Sequence, residues 1–177
     1  GEVGVQQIKA LGQARSGQSE GLDIVAADAK YGNARFLHPL QGQPCGIVVR
    51  LRKDRVLYRA PEPPPVKRPG RPRVHGGRFA FKEPDSWGTP DEAVAFKHPH
   101  LGQVKLERWN NLHGKRDANV PFDVVRARIH LERTKPPAPI WLAWQAPPDT
   151  PEDLHITAKL IWQAYCHRWP VEPGIRF

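Results

Sequence analysis

Cysteine is scarce in this 177-residue chain: Cys45 and Cys166 stand alone, 121 positions apart. Two thiols at that separation make neither a disulfide framework nor a metal knuckle, so both are expected to be free. Long apolar runs are missing as well. None approaches the roughly 18 residues that a membrane-spanning helix needs, and no signal-peptide apolar centre stands near the start. A membrane is therefore not among the expected partners. His98 and His100 form a His-x-His pair, but no carboxylate or thiol accompanies them at zinc-like spacing, which favours an ordinary loop. An RNP-like aromatic motif is also absent, which argues against a module that stacks RNA bases.

Acids are scarce where bases are dense. Residues 50–78 hold ten Lys or Arg against only Asp54 and Glu62, which places +8 of the chain's +9 charge in one segment. A concentrated basic stretch is what a phosphate-tracking surface requires, because each neutralised phosphate releases counterions. The competing reading is a solvated charged loop. Proline and glycine are abundant, at 20 and 15 residues, and point to strands, turns and irregular connections.

Residues 3–15 place Val5, Ile8 and Leu11 on one face, predicting a short amphipathic helix weakened by Gly4 and Gly12. The run GLDIVAAD reads as a buried strand ending at Asp28. Residues 30–40 predict a short helix stopped at Pro39, and 46–52 a second strand. Helix, strand, helix, strand is an α/β order in which the two strands are expected to run parallel. PEPPPVKRPGRPR, residues 61–73, cannot be regular structure and reads as a stiff basic connector. Within it Arg68-Pro-Gly-Arg71-Pro-Arg73 resembles the core of an AT-hook, an extended element that lays Arg into narrow minor grooves. Residues 55–148 form the connector and a β-rich insertion, in which 124–131 alternate as a half-buried strand. A C-terminal helix is expected to start at Thr150-Pro151-Glu152-Asp153 and to carry Leu154, Ala158, Ile161, Trp162 and Tyr165 as its apolar stripe.

Close to the end stand Tyr165, Arg168 and Glu172, spaced by three and then four. A continuous helix would put them on one face, whereas Pro170 predicts a break near Trp169 with Glu172 in the first turn of a second helix. Tyr-x-x-Arg-x-x-x-Glu resembles the signature of insertion-sequence transposases of the DDE superfamily, in which a Lys follows at what would be two positions beyond Phe177. The segment AAD28-Ala-Lys-Tyr31-Gly is similar to the strand end that carries that family's second catalytic Asp. The 144 positions between Asp28 and Glu172 also suit members with a β-rich insertion.

The resemblance implies an α/β, partial RNase H-like fold interrupted by a β-rich insertion. Its parts are a core piece over 1–54, the connector and insertion over 55–148, and C-terminal helices over 149–177. It implies DNA transposition by metal-dependent cleavage and strand transfer, with Asp28 and Glu172 as catalytic ligands of Mg²⁺ or Mn²⁺. Carboxylates suit these hard ions, which act in pairs on phosphodiesters. Tyr165 and Arg168 would hold backbone phosphates, joined by Arg52, Lys53 and Arg71 of the basic segment. The partner would be double-stranded DNA, with room for a homodimer on it, in the bacterial cytoplasm beside the nucleoid. A third carboxylate is not found: only Glu2, Glu20 and Asp23 precede Asp28. Asp23 on the same strand would face the other side, roughly 17 Å away. The missing Asp is therefore expected upstream, in a longer protein of which this chain is a fragment with little nuclease activity of its own. Competing readings are a non-catalytic DNA-binding module and another RNase H-like nuclease, such as a resolvase.

Overall fold

The computed structural model describes residues 2–15, 21–62, 70, 72–130, 136–148, 150 and 154–168. Helix α1, Glu2–Arg15, leads into strand β1, Ile24–Ala27, and the short helix α2, Ala34–Leu37. Strands follow as β2, Gly46–Leu51; β3, Val56–Tyr58; β4, Arg78–Ala80; β5, Glu92–His98; β6, Gly102–Gly114; β7, Asp117–His130; and β8, Ile140–Gln145. Helix α3, Ala158–Cys166, comes last.

The apolar run before Asp28 and the Val-rich run GIVVRL pair in parallel, Ala27 opposite Val49. Every other pairing among the described strands is antiparallel. The order is β1-β2-β8-β7-β6-β3-β4, with β5 on β6. The β-rich segment therefore extends the same sheet rather than standing apart, because β8 lies directly against β2. This mixed α/β architecture agrees with a partial RNase H-like fold.

Strand periodicity sorts the core into two layers. Ile47, Val49 and Leu51 face α1, α2, β3 and β4, in a cluster with Val5, Phe36, Leu37, Leu57 and Phe79. Val48, Val125, Leu142 and Trp144 face α3, meeting Ile161, Trp162 and Tyr165. Gly46 is fixed by this layer, since a Cβ there would overlap the Trp144 ring.

Two expectations need correcting. Leu11 is 60% exposed, because α1 meets the core only through Val5 and Ile8. Helix α3 does not start near Thr150, whose hydroxyl donates to the carbonyl of Pro147. Leu154 precedes the helix and is exposed. The cap is Thr157, whose hydroxyl accepts from the amide of Leu160 at 3.2 Å. Glu92 of β5 accepts from the Ala158 amide through both oxygens, at 3.0 and 2.9 Å. A carboxylate satisfying a first-turn amide also complements the helix dipole. Thr157→Ala should therefore cost about 1 kcal/mol, seen as a lower thermal midpoint without loss of helical circular dichroism at 25 °C.

Candidate functional site

Asp28 follows the last residue of β1, and Arg52 follows the last residue of the neighbouring parallel strand β2. Both positions thus lie at the carboxyl edge of the sheet, where the chain turns out of the strands. The turn after Asp28 is tight. Its carbonyl accepts from the Tyr31 amide at 2.9 Å, and its Oδ1 accepts from the Ala29 amide at 2.6 Å. Gly32 is required here because a Cβ would overlap the carbonyl oxygen of Arg50. Arg55 clamps the turn from outside, donating to the Gly32 carbonyl at 2.6 Å.

From the other side comes the end of α3. Arg168 Nη1 lies 3.6 Å from Asp28 Oδ1, and the two side chains are 12% and 56% exposed. The Arg168 guanidinium sits over the Tyr165 ring, 4.6 Å from its centre. The three-residue spacing that the sequence singled out thus brings a cation over an aromatic face and beside the strand-end carboxylate.

Tyr165 itself is fully buried. Burial pushes its hydroxyl pKa up, against the nearby positive charges of Arg168 and Arg50. A direct phosphate contact expected of Tyr165 is therefore not what this arrangement offers; the ring is a floor for Arg168. Arg50 is the residue that sequence reasoning missed. In sequence it is one base among the ten of residues 50–78, yet the alternation in GIVVRL puts it on the same face as Val48, beneath α3.

The other named positions separate. Arg52 is exposed and pairs with Asp54 at 3.0 Å, and Lys53 is exposed in the same turn. Both stand at the Asp28 edge of the sheet. Arg71 and Glu172 lie outside the described residues, as do Arg68 and Pro69 of the AT-hook-like run. His98 is used locally: its Nδ1 accepts from the amides of His100 and Leu101, both at 3.2 Å, and so caps the turn between β5 and β6. Cys45 and Cys166 are free thiols. Burial pushes the Cys166 pKa up to about 11, which makes it a poor nucleophile.

Asp28 suits a divalent cation in kind, as a carboxylate that is 56% exposed. Hard ions take such oxygen donors. Among the described residues no three His, Cys, Asp or Glu side chains converge. A family model described as DDE superfamily endonuclease matches residues 2–115, more than half of the chain and inclusive of Asp28. No curated protein matches the chain at a significant level.

Proposed function

The chain belongs to the DDE superfamily of endonucleases, and from that membership we propose that it serves DNA transposition, cutting phosphodiesters at transposon ends and joining them to a target. Asp28 and Glu172 are read as two of the metal-holding carboxylates. The observation that carries this reading is the Arg168–Asp28 contact. It brings Tyr165 and Arg168, the described part of the Tyr-x-x-Arg-x-x-x-Glu motif, to the strand-end aspartate, although Arg168 and Asp28 are 140 positions apart. Glu172 follows Arg168 by four residues, a length of chain that spans at most about 14 Å.

Divalent ions held there would activate the attacking oxygen and stabilise the leaving oxygen of an in-line displacement. The protein's own contribution is positional. β1 and the Asp28–Gly32 turn fix one carboxylate, and the burial of Tyr165 fixes the helix end that presents Arg168. Arg168 pairs with Asp28 and is read as the group that would hold a scissile-strand phosphate were an ion to take Asp28. Arg52 and Lys53, at the same edge, extend the cationic surface for flanking DNA.

A joining assay distinguishes this reading from a pure DNA binder. Protein expressed from its whole reading frame is incubated with Mg²⁺, a supercoiled target plasmid and duplexes copied from the DNA that flanks the frame. Cleaved 3′-ends joined to plasmid are expected, and Glu172→Ala should abolish joining while retaining duplex binding. Equal joining by Glu172→Ala, or binding with neither cleavage nor joining by the unaltered protein, overturns the proposal.

A further inference from the structure

A second basic surface lies on the insertion strands, away from the 50–78 segment. On the face of the sheet opposite α3, cross-strand pairing sets Ala95 beside Lys105 and Lys105 beside Arg128; one step on, Lys97 faces Gln103 and Gln103 faces His130. All six of these side chains and Ala93 are exposed. Lys105 and Arg128 are thus like charges on directly opposed positions, a pairing that destabilises a sheet unless something answers it.

Glu107 is the acid next to them, and it answers only in part. Its Oε2 is already taken by Arg126, which is buried with it. Its Oε1 lies 3.1 Å from Lys105 and 3.8 Å from Arg128. One carboxylate thus stands against three cations, and Lys97 adds a fourth. The remaining acids of β5, β6 and β7 are Glu92, Asp117 and Asp123. Glu92 and Asp123 are bound to Arg108, and Asp117 lies at the far turn of β6 and β7. The surplus charge on this face is therefore not consumed within the described residues.

Its position relates it to Asp28. The ladder from Ala27 through Val49 and Ala143 reaches Val124, so Asp28 is level with Val125, and Arg128 stands three residues further toward the same edge. Three strand spacings separate β1 from β7 and four separate it from β6, roughly 14–19 Å, with about 10 Å along the strand. That in-plane offset is close to the width of one duplex, which would reach Asp28 by passing round the carboxyl edge of the sheet, because Arg168 meets Asp28 from the α3 face. Ala93 and Ala95 add no bulk that would keep a sugar–phosphate chain off the strands.

We infer that the outer face of β5, β6 and β7, through Lys97, Lys105 and Arg128, is a sequence-independent docking surface for the phosphate backbone of double-stranded DNA flanking the Asp28 edge. This rests on the endonuclease reading for its purpose but not for its test. The probe is a 30-base-pair duplex of random sequence, titrated at several salt concentrations into the full chain and a Lys97→Gln/Lys105→Gln/Arg128→Gln variant. Each lost phosphate contact lowers the slope of log affinity against log salt by about 0.9, so the variant should lose about 2–3 units of slope and bind about tenfold or more weakly at 100 mM salt. Lys97→Gln alone, which leaves all partners of Glu107 in place, should lose about one unit. A control with equal charge loss elsewhere, Lys9→Gln/Lys82→Gln/Lys159→Gln, should keep the slope. Unchanged slope in the patch variant, an equal loss in the control, or tighter capture of single-stranded RNA than of the duplex overturns the inference. Duplex binding that depends on the patch, in whole-frame protein that neither cleaves nor joins DNA with Mg²⁺, would sink the transposition reading and leave the docking surface standing.

Discussion

In protein expressed from its whole reading frame, replacing Asp28 by alanine is expected to lower metal-dependent DNA cleavage by at least about a thousandfold while leaving the fold nearly intact. Loss of one ligand to a catalytic ion withdraws several kcal/mol of transition-state stabilisation, and each 1.4 kcal/mol is about a factor of ten in rate. The structural cost is small because Asp28 is more than half exposed and its partner Arg168 stays supported by the Tyr165 ring. An ion pair of this kind is worth under about 1 kcal/mol. Asp28→Asn sharpens the comparison. It keeps an oxygen for the Ala29 amide, which Oδ1 now satisfies at 2.6 Å, and so preserves the turn, yet it removes the charge that a divalent ion needs. Near-equal inactivity of the two variants, with duplex binding retained, is the expected pattern in a plasmid-nicking assay. Activity preserved in Asp28→Asn would mean that the residue shapes the turn and does not hold metal.

The largest expected effect on stability is at Arg126. Its guanidinium lies 4.1 Å from the centre of the Trp87 ring and within 6 Å of Trp109 and Trp141, and it donates through Nε and Nη2 to Glu107 Oε2. Burial alone would push the Glu107 carboxyl up, but the bonds from Arg126 and Lys105 hold it below the usual carboxylate value. Arg126→Ala removes the stacking and leaves a buried carboxylate with only its two peripheral cations. Removing one partner of a buried pair costs about 3–5 kcal/mol, and the lower end applies here because Lys105 and Arg128 remain. The thermal midpoint should fall by roughly 6–12 °C. The pH dependence has a definite sign. A carboxylate whose folded pKa is depressed contributes stability that is present above its unfolded pKa and lost as pH falls through the folded value. The difference between the unaltered protein and Arg126→Ala should thus be widest at neutral pH and shrink below about pH 4. A constant difference from pH 7 to pH 3 would show that Glu107 contributes nothing through Arg126.

What the sequence disclosed and what it hid follow from the range of the interactions involved. The strand ending at Asp28 was legible because a short apolar run ending in a carboxylate is a local signal. Tyr165 and Arg168 were legible as a spaced pair. That the ring would be the buried floor beneath a largely buried cation was not, since this depends on where α3 docks. The helix start was misplaced because Thr150-Pro151-Glu152-Asp153 satisfies the local capping rules, whereas the docking of Glu92, 66 positions before Ala158, selects Thr157. Arg126 sits in a pattern that alternates correctly, yet its burial among Trp87, Trp109 and Trp141 is a cross-strand fact. The basic face of β5, β6 and β7 escaped notice for the same reason: Lys97, Lys105 and Arg128 are scattered in sequence and meet only through register.

The central claim is that Asp28 and Glu172 grip the same divalent ions. Manganese can report this without any catalysis, by titrating Mn²⁺ into protein expressed from its whole reading frame and following the free ion by electron paramagnetic resonance. Asp28→Asn and Glu172→Gln should each weaken binding by at least about tenfold, as the loss of one charged oxygen ligand requires. Combining them should leave no saturable site. Unaltered Mn²⁺ affinity in either single variant would contradict a shared site.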